Sequence, residues 1–233
     1  MRDKIKDKAY FDDYITQQKS RIKRFTEKLE AGSIREDRVL PVLKKVDSLK
    51  YSIFEAGYSR GDGLDELKET FLNIMRDFPK FTNPKSEYVD TLWIVSIAIM
   101  FEIEGEEWDT LSKYVYDSGI DDWLLGYLMS SRNGNKGFCD WEVRIGNPYN
   151  YLKNIIETSN IRIEKIQDYL ENKWYKAHRE TAWYDIHKSS EKLYSGYWSY
   201  ETGAIVKILN LDDRSLIDVP YYPYDLVHYG NTK

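Results

Sequence analysis

Cysteine and histidine are scarce in this chain, which has one cysteine, Cys139, and three histidines. A single cysteine excludes an internal disulfide framework and is compatible with a reducing compartment. No HExxH, CxxC or mixed Cys–His motif has the spacing that zinc sites use. His187 and Glu191 have metal-like spacing, but the sequence places no further ligands beside them. The sequence therefore predicts neither a bound metal nor a cofactor.

Motifs for catalysis are missing as well. Cys139 lies in the sequence GFCDW with no histidine nearby, so nothing supports a role as nucleophile. The segment Gly61-Asp62-Gly63 lacks the Lys-Ser/Thr of a phosphate-binding loop and predicts a turn. Glu55 and Glu201 would form an acid/base couple only with other polar groups around them. Because the sequence clusters no such groups with either glutamate, we predict that both are structural.

Long hydrophobic runs are also absent. The N-terminal sequence MRDKIKDKAYFDDY is charged and has no apolar region of the kind that a secretory signal needs. The most apolar segment, residues 88–103, is short for a membrane span and has acidic flanks. It is better interpreted as the most buried helix of the fold. We therefore expect a cytoplasmic protein with no membrane partner.

The composition is that of a folded protein. Hydrophobic residues make up 42% of the 233 residues and charged residues 31%, which argues against disorder and allows one large domain or two small ones. The 20 tyrosines and 7 tryptophans favour tight helix packing or a protein-binding surface. The net charge of −5 argues against nucleic acid as a direct ligand.

Helical periodicity runs through the sequence, and no segment alternates apolar and polar residues as a strand would. The fold is therefore predicted to be all-α, with nine or ten helices. The first helix is predicted over 4–31, and Ser33 with Glu36 has the spacing of a capping box for the second. Pro79 and Pro84 are predicted to bracket a loop, and a later helix is predicted over 174–188.

A short internal repeat indicates how the chain is organised. The sequence YSIFEAG at 51–57 and the sequence YWSYETG at 197–203 share two aromatic positions, a glutamate and a glycine at identical spacing. So short a match also arises by coincidence. If it is a true repeat, it predicts two related helical halves, 1–118 and 119–233, with Gly57 and Gly203 allowing close helix approach.

Negative charge is concentrated in one segment, residues 102–122, which we name the acidic strip. It holds one base, Lys113, and eight acids, so its charge is −7 and that of the remaining chain is +2. The acids are Glu102, Glu104, Glu106, Glu107, Asp109, Asp117, Asp121 and Asp122. The strip is either a solvated face of two short helices or a docking site for a basic partner. In the second case Trp108, Tyr114, Tyr116 and Trp123 are candidate aromatic anchors, and Trp108 is assigned with the acids to the partner-binding residues.

The C-terminal region has an unusual pattern of tyrosine and proline. Residues near 196–210 have helical spacing, and Asp212 is a candidate N-cap for a short turn that includes Asp213. Pro220 and Pro223 stiffen the chain around the tyrosines that follow. We therefore predict a rigid tail that packs over the C-terminal half as a lid.

The segments YWSYETGAIVKIL, LDDRSL and PYYPYDL in this region resemble the C-terminal signature of the PoNi-type immunity proteins. The run from Trp174 to Lys188 fits the same family, and the first half of the chain fits it more loosely. The residues that we assign to the structural signature are Glu55, Tyr197, Trp198, Tyr200, Glu201, Asp212, Asp213, Tyr221, Tyr222 and Tyr224. The resemblance implies a non-enzymatic bacterial protein that neutralises a PoNe-type DNase toxin of a polymorphic, for example type VI-delivered, toxin system.

Three functional classes follow from these observations. The first is an immunity protein whose acidic strip covers the basic DNA-binding or active-site surface of a cognate DNase toxin. The second is a small hydrolase that uses Glu201 with His178 or His187. The third is a homo-oligomeric scaffold, which would self-associate and bind no toxin.

Overall fold

The computed structural model describes residues 1–134, 140–158 and 160–230. Every regular element in these ranges is helical, and they contain no strand, which confirms the predicted all-α class. Cys139 lies outside the described residues. Contacts divide the chain into two units. Unit 1 comprises Met1–Thr82 with Asp185–Gly196, and unit 2 comprises Asn83–Tyr184 with Tyr197–Lys233. The two related halves, 1–118 and 119–233, stay a prediction.

Unit 1 is built on three long helices: α1 (Lys8–Glu30), α2 (Glu36–Arg60) and α3 (Leu64–Phe81). A 3-10 turn, Ile186–Lys188, belongs to the same unit. The Asp7 carboxylate accepts a hydrogen bond from the backbone N–H of Tyr10 and caps α1. Consecutive helices pack together through aromatic side chains, and the rings of Phe54 and Phe71 lie 5.6 Å apart with both side chains fully buried.

Two predictions for unit 1 are wrong in detail. Ser33 does not form a capping box, because its hydroxyl donates to the Lys28 carbonyl at the end of α1 and α2 begins at Glu36 without a side-chain cap. Pro79 is not in the loop, because α3 continues to Phe81. Near a helix end the missing N–H and the ring of proline are tolerated when the apolar face remains packed, and Phe78 is buried beside it.

Unit 2 contains shorter helices. They are α4 (Tyr88–Met100), α5 (Gly105–Asp117), α6 (Trp123–Asn133), α7 (Gly146–Glu157), α8 (Arg162–Asp168), α9 (Tyr175–Ala177), α10 (Tyr200–Leu209) and α11 (Tyr224–Val227). A π-helical turn, Tyr169–Trp174, joins α8 to α9, and a 3-10 turn, Arg214–Leu216, precedes α11. Since α8 and α9 are continuous through the π turn, the described residues form ten separate α-helical segments, within the predicted number.

The centre of unit 2 is α4. Ten of its 13 residues are buried, and it contacts α5, α6, α10 and α11. Ser96 and Thr91 are buried within it, and each hydroxyl donates to the backbone carbonyl four residues earlier in the chain. This confirms a buried core helix in the segment 88–103, although the helix ends at Met100, three residues before the predicted end. Among the described helices, none has the length and apolar character required to cross a membrane.

The predicted helix over 174–188 is wrong. The helix ends at Ala177, and the chain continues through turns to the 3-10 turn at Ile186. The Thr181 hydroxyl donates to the His178 carbonyl, and Asp185 has a left-handed φ of 57°. A side-chain hydrogen bond to the backbone and a left-handed residue both compete with helix continuation.

Candidate partner-binding surface

The acidic strip spans the turn after α4, helix α5 and the segment that leads to the N-cap of α6, all within unit 2. Glu106 and Glu107 lie in the first turn of α5. Negative charge is favourable there because the helix N-terminus carries partial positive charge. The strip is therefore partly stabilised by the helix that carries it.

Three of the eight acids have cationic partners. A Glu102 carboxylate oxygen lies 2.9 Å from the Lys207 ammonium, and one of Glu104 lies 3.2 Å from the Arg132 guanidinium. Asp117 pairs with Lys113 one helical turn away. All three carboxylates remain substantially exposed, so solvent weakens these pairs.

Glu106, Asp109 and Asp121 are exposed and form no ion pair with any residue that the structure describes. Glu107 is half-buried and has a contact of its own within the protein. The uncompensated charge of the strip is therefore concentrated on Glu106, Asp109 and Asp121, where a basic partner has access to it.

Asp122 does not belong to this surface. Its side chain is fully buried. It accepts hydrogen bonds from the backbone N–H groups of Arg144 and of Leu125, in the first turn of α6, and from the Tyr88 hydroxyl. Burial raises the pKa of the Asp122 carboxyl, and these hydrogen bonds oppose the shift. Asp122 therefore acts as a helix cap inside the folded unit, where no partner reaches it.

Trp108, predicted to bind the partner, is also internal. It is 4% exposed, its indole N–H donates to the Asn133 side-chain oxygen over 2.7 Å, and the Arg132 guanidinium lies over its ring. Trp123 is buried as well and stacks on Tyr127. Half-exposed aromatic area at the strip comes from Tyr114 and Tyr116. Helical spacing placed Trp108 and Trp123 near the strip but did not show which way their side chains face.

The signature glutamate Glu201 lies in the first turn of α10 and is fully buried. One carboxylate oxygen accepts hydrogen bonds of 2.8 Å from the Trp174 indole and from the Ser199 hydroxyl. Burial raises the pKa of Glu201, and these donors offset the shift only in part. The predicted structural role of Glu201 therefore has identified hydrogen-bond donors.

The aromatic residues of the signature make their own contacts within unit 2. The Tyr197 hydroxyl donates to the Trp183 carbonyl, and the Tyr221 ring stacks on Tyr175 with centroids 5.4 Å apart. Tyr222 donates to the buried Asp213 over 2.5 Å. Trp198 and Tyr200 are buried as well, and Tyr224 stacks on His228. Asp212 is exposed and forms an ion pair with Arg214.

The tail covers α10 through direct contact. A methyl group at Gly203 would lie 2.7 Å from a Pro223 ring carbon and 3.2 Å from a Val227 methyl carbon. The tail therefore packs as the predicted lid and seals part of the core of unit 2.

In unit 1, the glutamate of the other repeat copy has a different setting. Glu55 is half-buried and accepts a 2.9 Å hydrogen bond from the Ser195 hydroxyl. A methyl group at Gly57 would lie 2.8 Å from Asp62 Oδ2 and 3.1 Å from a Leu67 methyl carbon. Glu55 thus makes a hydrogen bond within its own unit, and Gly57 lies at a close approach to Asp62 and to Leu67 of α3.

The histidines give little support to a catalytic site. His178 is buried, its Nδ1 lies 2.7 Å from the Trp174 carbonyl oxygen, and burial lowers its pKa. The His187 ring packs against Tyr194 within unit 1. Among the described residues, no group of three or more His, Cys, Asp or Glu side chains has an arrangement that would hold a metal ion.

Comparison with known proteins identifies the family. The model described as PoNe immunity protein (PoNi), N-terminal, matches residues 2–113, and that described as PoNe immunity proteins (PoNi), C-terminal, matches residues 120–226. No curated protein matches the chain.

Among solved structures, the crystal structure of protein PA2201 from Pseudomonas aeruginosa is similar, with a TM-score of 0.71 and 15% sequence identity. The similarity covers 96% of this chain and 88% of that one, and at this identity it shows a shared fold. The family models cover nearly the whole sequence, so this chain belongs to the family of PoNe immunity proteins.

Proposed function

We propose that this protein binds its cognate PoNe-type DNase toxin and neutralises it by covering the basic DNA-binding or active-site surface. Family membership supports a non-enzymatic immunity protein directed against a toxin of this class. The observation that carries the proposed mode of binding is the cluster of exposed acids on and beside α5 that lack ion-pair partners among the described residues.

The physical basis is charge complementarity. A DNase holds a polyanion and therefore presents lysine and arginine side chains at its DNA-binding surface. Glu106, Asp109 and Asp121 offer carboxylates to such a surface without first breaking an ion pair within the described residues. Long-range attraction accelerates the encounter, and the half-exposed Tyr114 and Tyr116 supply aromatic contact area once the proteins meet.

The role also supports a location. An immunity protein must meet its toxin where the DNA is, so we place this protein in the bacterial cytoplasm. Delivery of the toxin by a type VI secretion system is compatible with this arrangement. Nucleic acid itself is not a proposed ligand, because the exposed charge of the strip repels phosphate.

The test reverses charge at three exposed positions, Glu106→Lys, Asp109→Lys and Asp121→Lys. The matched control is Asp65→Lys, Glu66→Lys and Glu69→Lys, which changes the charge equally in and beside the first turn of α3 in unit 1. Both variants place lysines near a helix N-terminus, so the unfavourable interaction with the helix dipole is similar in the two proteins. Circular dichroism verifies that both variants are folded.

Cells that express the toxin are then scored for survival. We expect the control variant to protect as wild type does and the strip variant to lose protection. Full protection by a folded strip variant would show that the toxin binds elsewhere. Light scattering of the purified protein addresses the scaffold alternative, which requires self-association without toxin.

A further inference from the structure

The helical hairpin formed by α1 and α2 in unit 1 extends beyond the end of α3. Two contacts show how α2 and α3 run: the rings of Phe54 and Phe71 pack together, and the Lys50 ammonium lies 2.8 Å from an Asp77 carboxylate oxygen. The residue numbers fall along α2 as they rise along α3, so the two helices are antiparallel. Because α3 ends at Phe81, soon after Asp77, the first part of α2 lies past its end.

Residues 19–46, which we name the basic arm, form this extension. None of them is buried, whereas Gln18 and Asp47 on either side are. Leu40, Asp47 and Phe54 recur every seven residues, about two turns, and therefore share one face of α2. Asp47 and Phe54 are buried, but Leu40 is 53% exposed. The face of α2 that packs against α3 thus continues onto the arm, where no described residue buries it.

The arm carries a surplus of positive charge. It holds nine bases and four acids, so its charge is +5. Lys23 pairs with Glu27 and Arg35 with Asp37, and all four of these side chains are exposed. Five further bases are exposed and form no ion pair with any described residue: Lys19, Arg24, Lys28, Arg38 and Lys45. The arm therefore presents unpaired positive charge beside apolar side chains that are only partly covered.

We propose that the basic arm binds the acidic strip of a second copy of this chain. The strip has a charge of −7 and exposes Glu106, Asp109 and Asp121 without ion-pair partners among the described residues. Its half-exposed Tyr114 and Tyr116 supply rings that pack against the apolar side chains of the arm. Each copy has a net charge of −5, but the Debye length at physiological salt is about 8 Å. The opposite local charges therefore outweigh the overall repulsion once the surfaces meet.

Other partners fit the arm less well. Two arms would repel each other, since each carries +5. A helix that binds a membrane presents a row of apolar side chains to the lipid, whereas Leu40 is the one large apolar side chain of the arm that is more than half exposed. The acids elsewhere on the chain repel the phosphates of a nucleic acid.

Charge reversal on the arm tests the contact. The arm variant is Lys19→Glu with Arg24→Glu, which changes the charge of the arm from +5 to +1. Each new glutamate lies four residues before a lysine, a spacing that favours the helix. The matched control is Lys176→Glu with Arg179→Glu, which makes the same charge change at exposed positions of unit 2. The strip variant is the triple lysine reversal described above.

Analytical ultracentrifugation of the full chain without toxin measures self-association. Wild type and the control should associate, more weakly as salt is raised, and the arm and strip variants should each raise the dissociation constant about tenfold or more. An equal mixture of the arm and strip variants should associate again, because the first keeps its strip and the second its arm. A monomeric wild type, association that strengthens with salt, or a mixture that stays monomeric would overturn the proposal.

A second pair of variants tests the apolar part of the contact. Leu40→Ser should weaken self-association, whereas Ile217→Ser, at a side chain of unit 2 that is 57% exposed, should leave it unchanged. Equal self-association of these two variants would contradict a role for the exposed face of α2. Binding of the monomeric protein to anionic vesicles or duplex DNA that depends on the arm would assign the arm to another partner.

One consequence rests on the proposed function. Because the same acids are proposed to bind the toxin, catalytically inactive toxin should separate the associated copies. If the copies associate through the arm but the toxin does not separate them, the proposed toxin contact fails and the self-association stands. If wild type is monomeric but binds the toxin through the strip, the self-association fails and the proposed function stands.

Discussion

For the single residue Glu201, the sequence predicted that the carboxylate is hydrogen-bonded but not all of its partners. A carboxylate among aromatic residues must find donors or lie at the rim, so hydrogen bonding could be predicted from its neighbours alone. One donor, Ser199, is close in sequence. The other, Trp174, lies 27 positions away and is brought near by the fold, so no local pattern identified it.

Replacing Glu201 with alanine should destabilise the protein by about 1–3 kcal/mol, because the buried Trp174 N–H loses its acceptor. Glu201→Gln should cost less, since its amide oxygen still accepts. Urea unfolding measures both variants beside Glu191→Ala, which removes an exposed carboxylate as the control. A Glu201→Ala protein as stable as the control would refute this role.

The raised pKa of Asp47 predicts how the free energy of unfolding depends on pH. It lies in α2 and is 9% exposed, and burial raises the pKa of its carboxyl from 3.8 to about 6 against the opposing effect of Lys50. The folded protein therefore binds this proton more tightly than the unfolded chain does. The ionised form opposes folding at pH 7.5, and that cost falls as the pH is lowered through about 6.

Asp47→Asn should therefore be more stable than wild type at pH 7.5, by about 1–3 kcal/mol. The advantage should shrink as the pH is lowered towards 5. Urea unfolding of both proteins at a series of pH values between 5 and 7.5 measures this difference. If the two stability curves run parallel over that range, Asp47 does not titrate as described.

For the helices, hydrophobic spacing predicted which segments are buried in the core but did not predict where each helix ends. The apolar run over 88–103 predicted the burial of α4, because a helix that is apolar on nearly all sides must pack against other elements. The helix predicted over 174–188 failed because local hydrogen bonds at Thr181 ended it.

Gly203 tests the packing between α10 and the tail. In an open helix, Gly→Ala gains about 0.5–1 kcal/mol through backbone entropy. Here the added methyl group would lie 2.6 Å from the Met100 sulfur and 2.7 Å from Pro223. We expect Gly203→Ala to lose about 1–3 kcal/mol in thermal or urea unfolding. A gain in stability would mean that the lid is not packed this closely.

For the whole molecule, the sequence showed where negative charge is concentrated, but it did not show which of the charged side chains are exposed. The acidic strip was recognised from composition, and its most exposed unpaired acids lie on and beside α5. Trp108 and Asp122 were assigned to the same surface, but both side chains are buried. Their positions in the sequence do not show which side chains the neighbouring helices cover. The proposed toxin-binding surface is therefore smaller than the acidic strip from which it was inferred.

The central claim is that exposed acids of the strip bind a basic toxin surface. The most direct measurement is the affinity of the purified protein for its cognate toxin, rendered catalytically inactive, at low and high salt. Wild type and the α3 control should bind tightly at low salt and more weakly at high salt, because ions screen the attraction. The Glu106, Asp109 and Asp121 reversal should bind weakly at low salt and lose most of the salt dependence. Wild-type affinity and an unchanged salt dependence in that variant would contradict the claim.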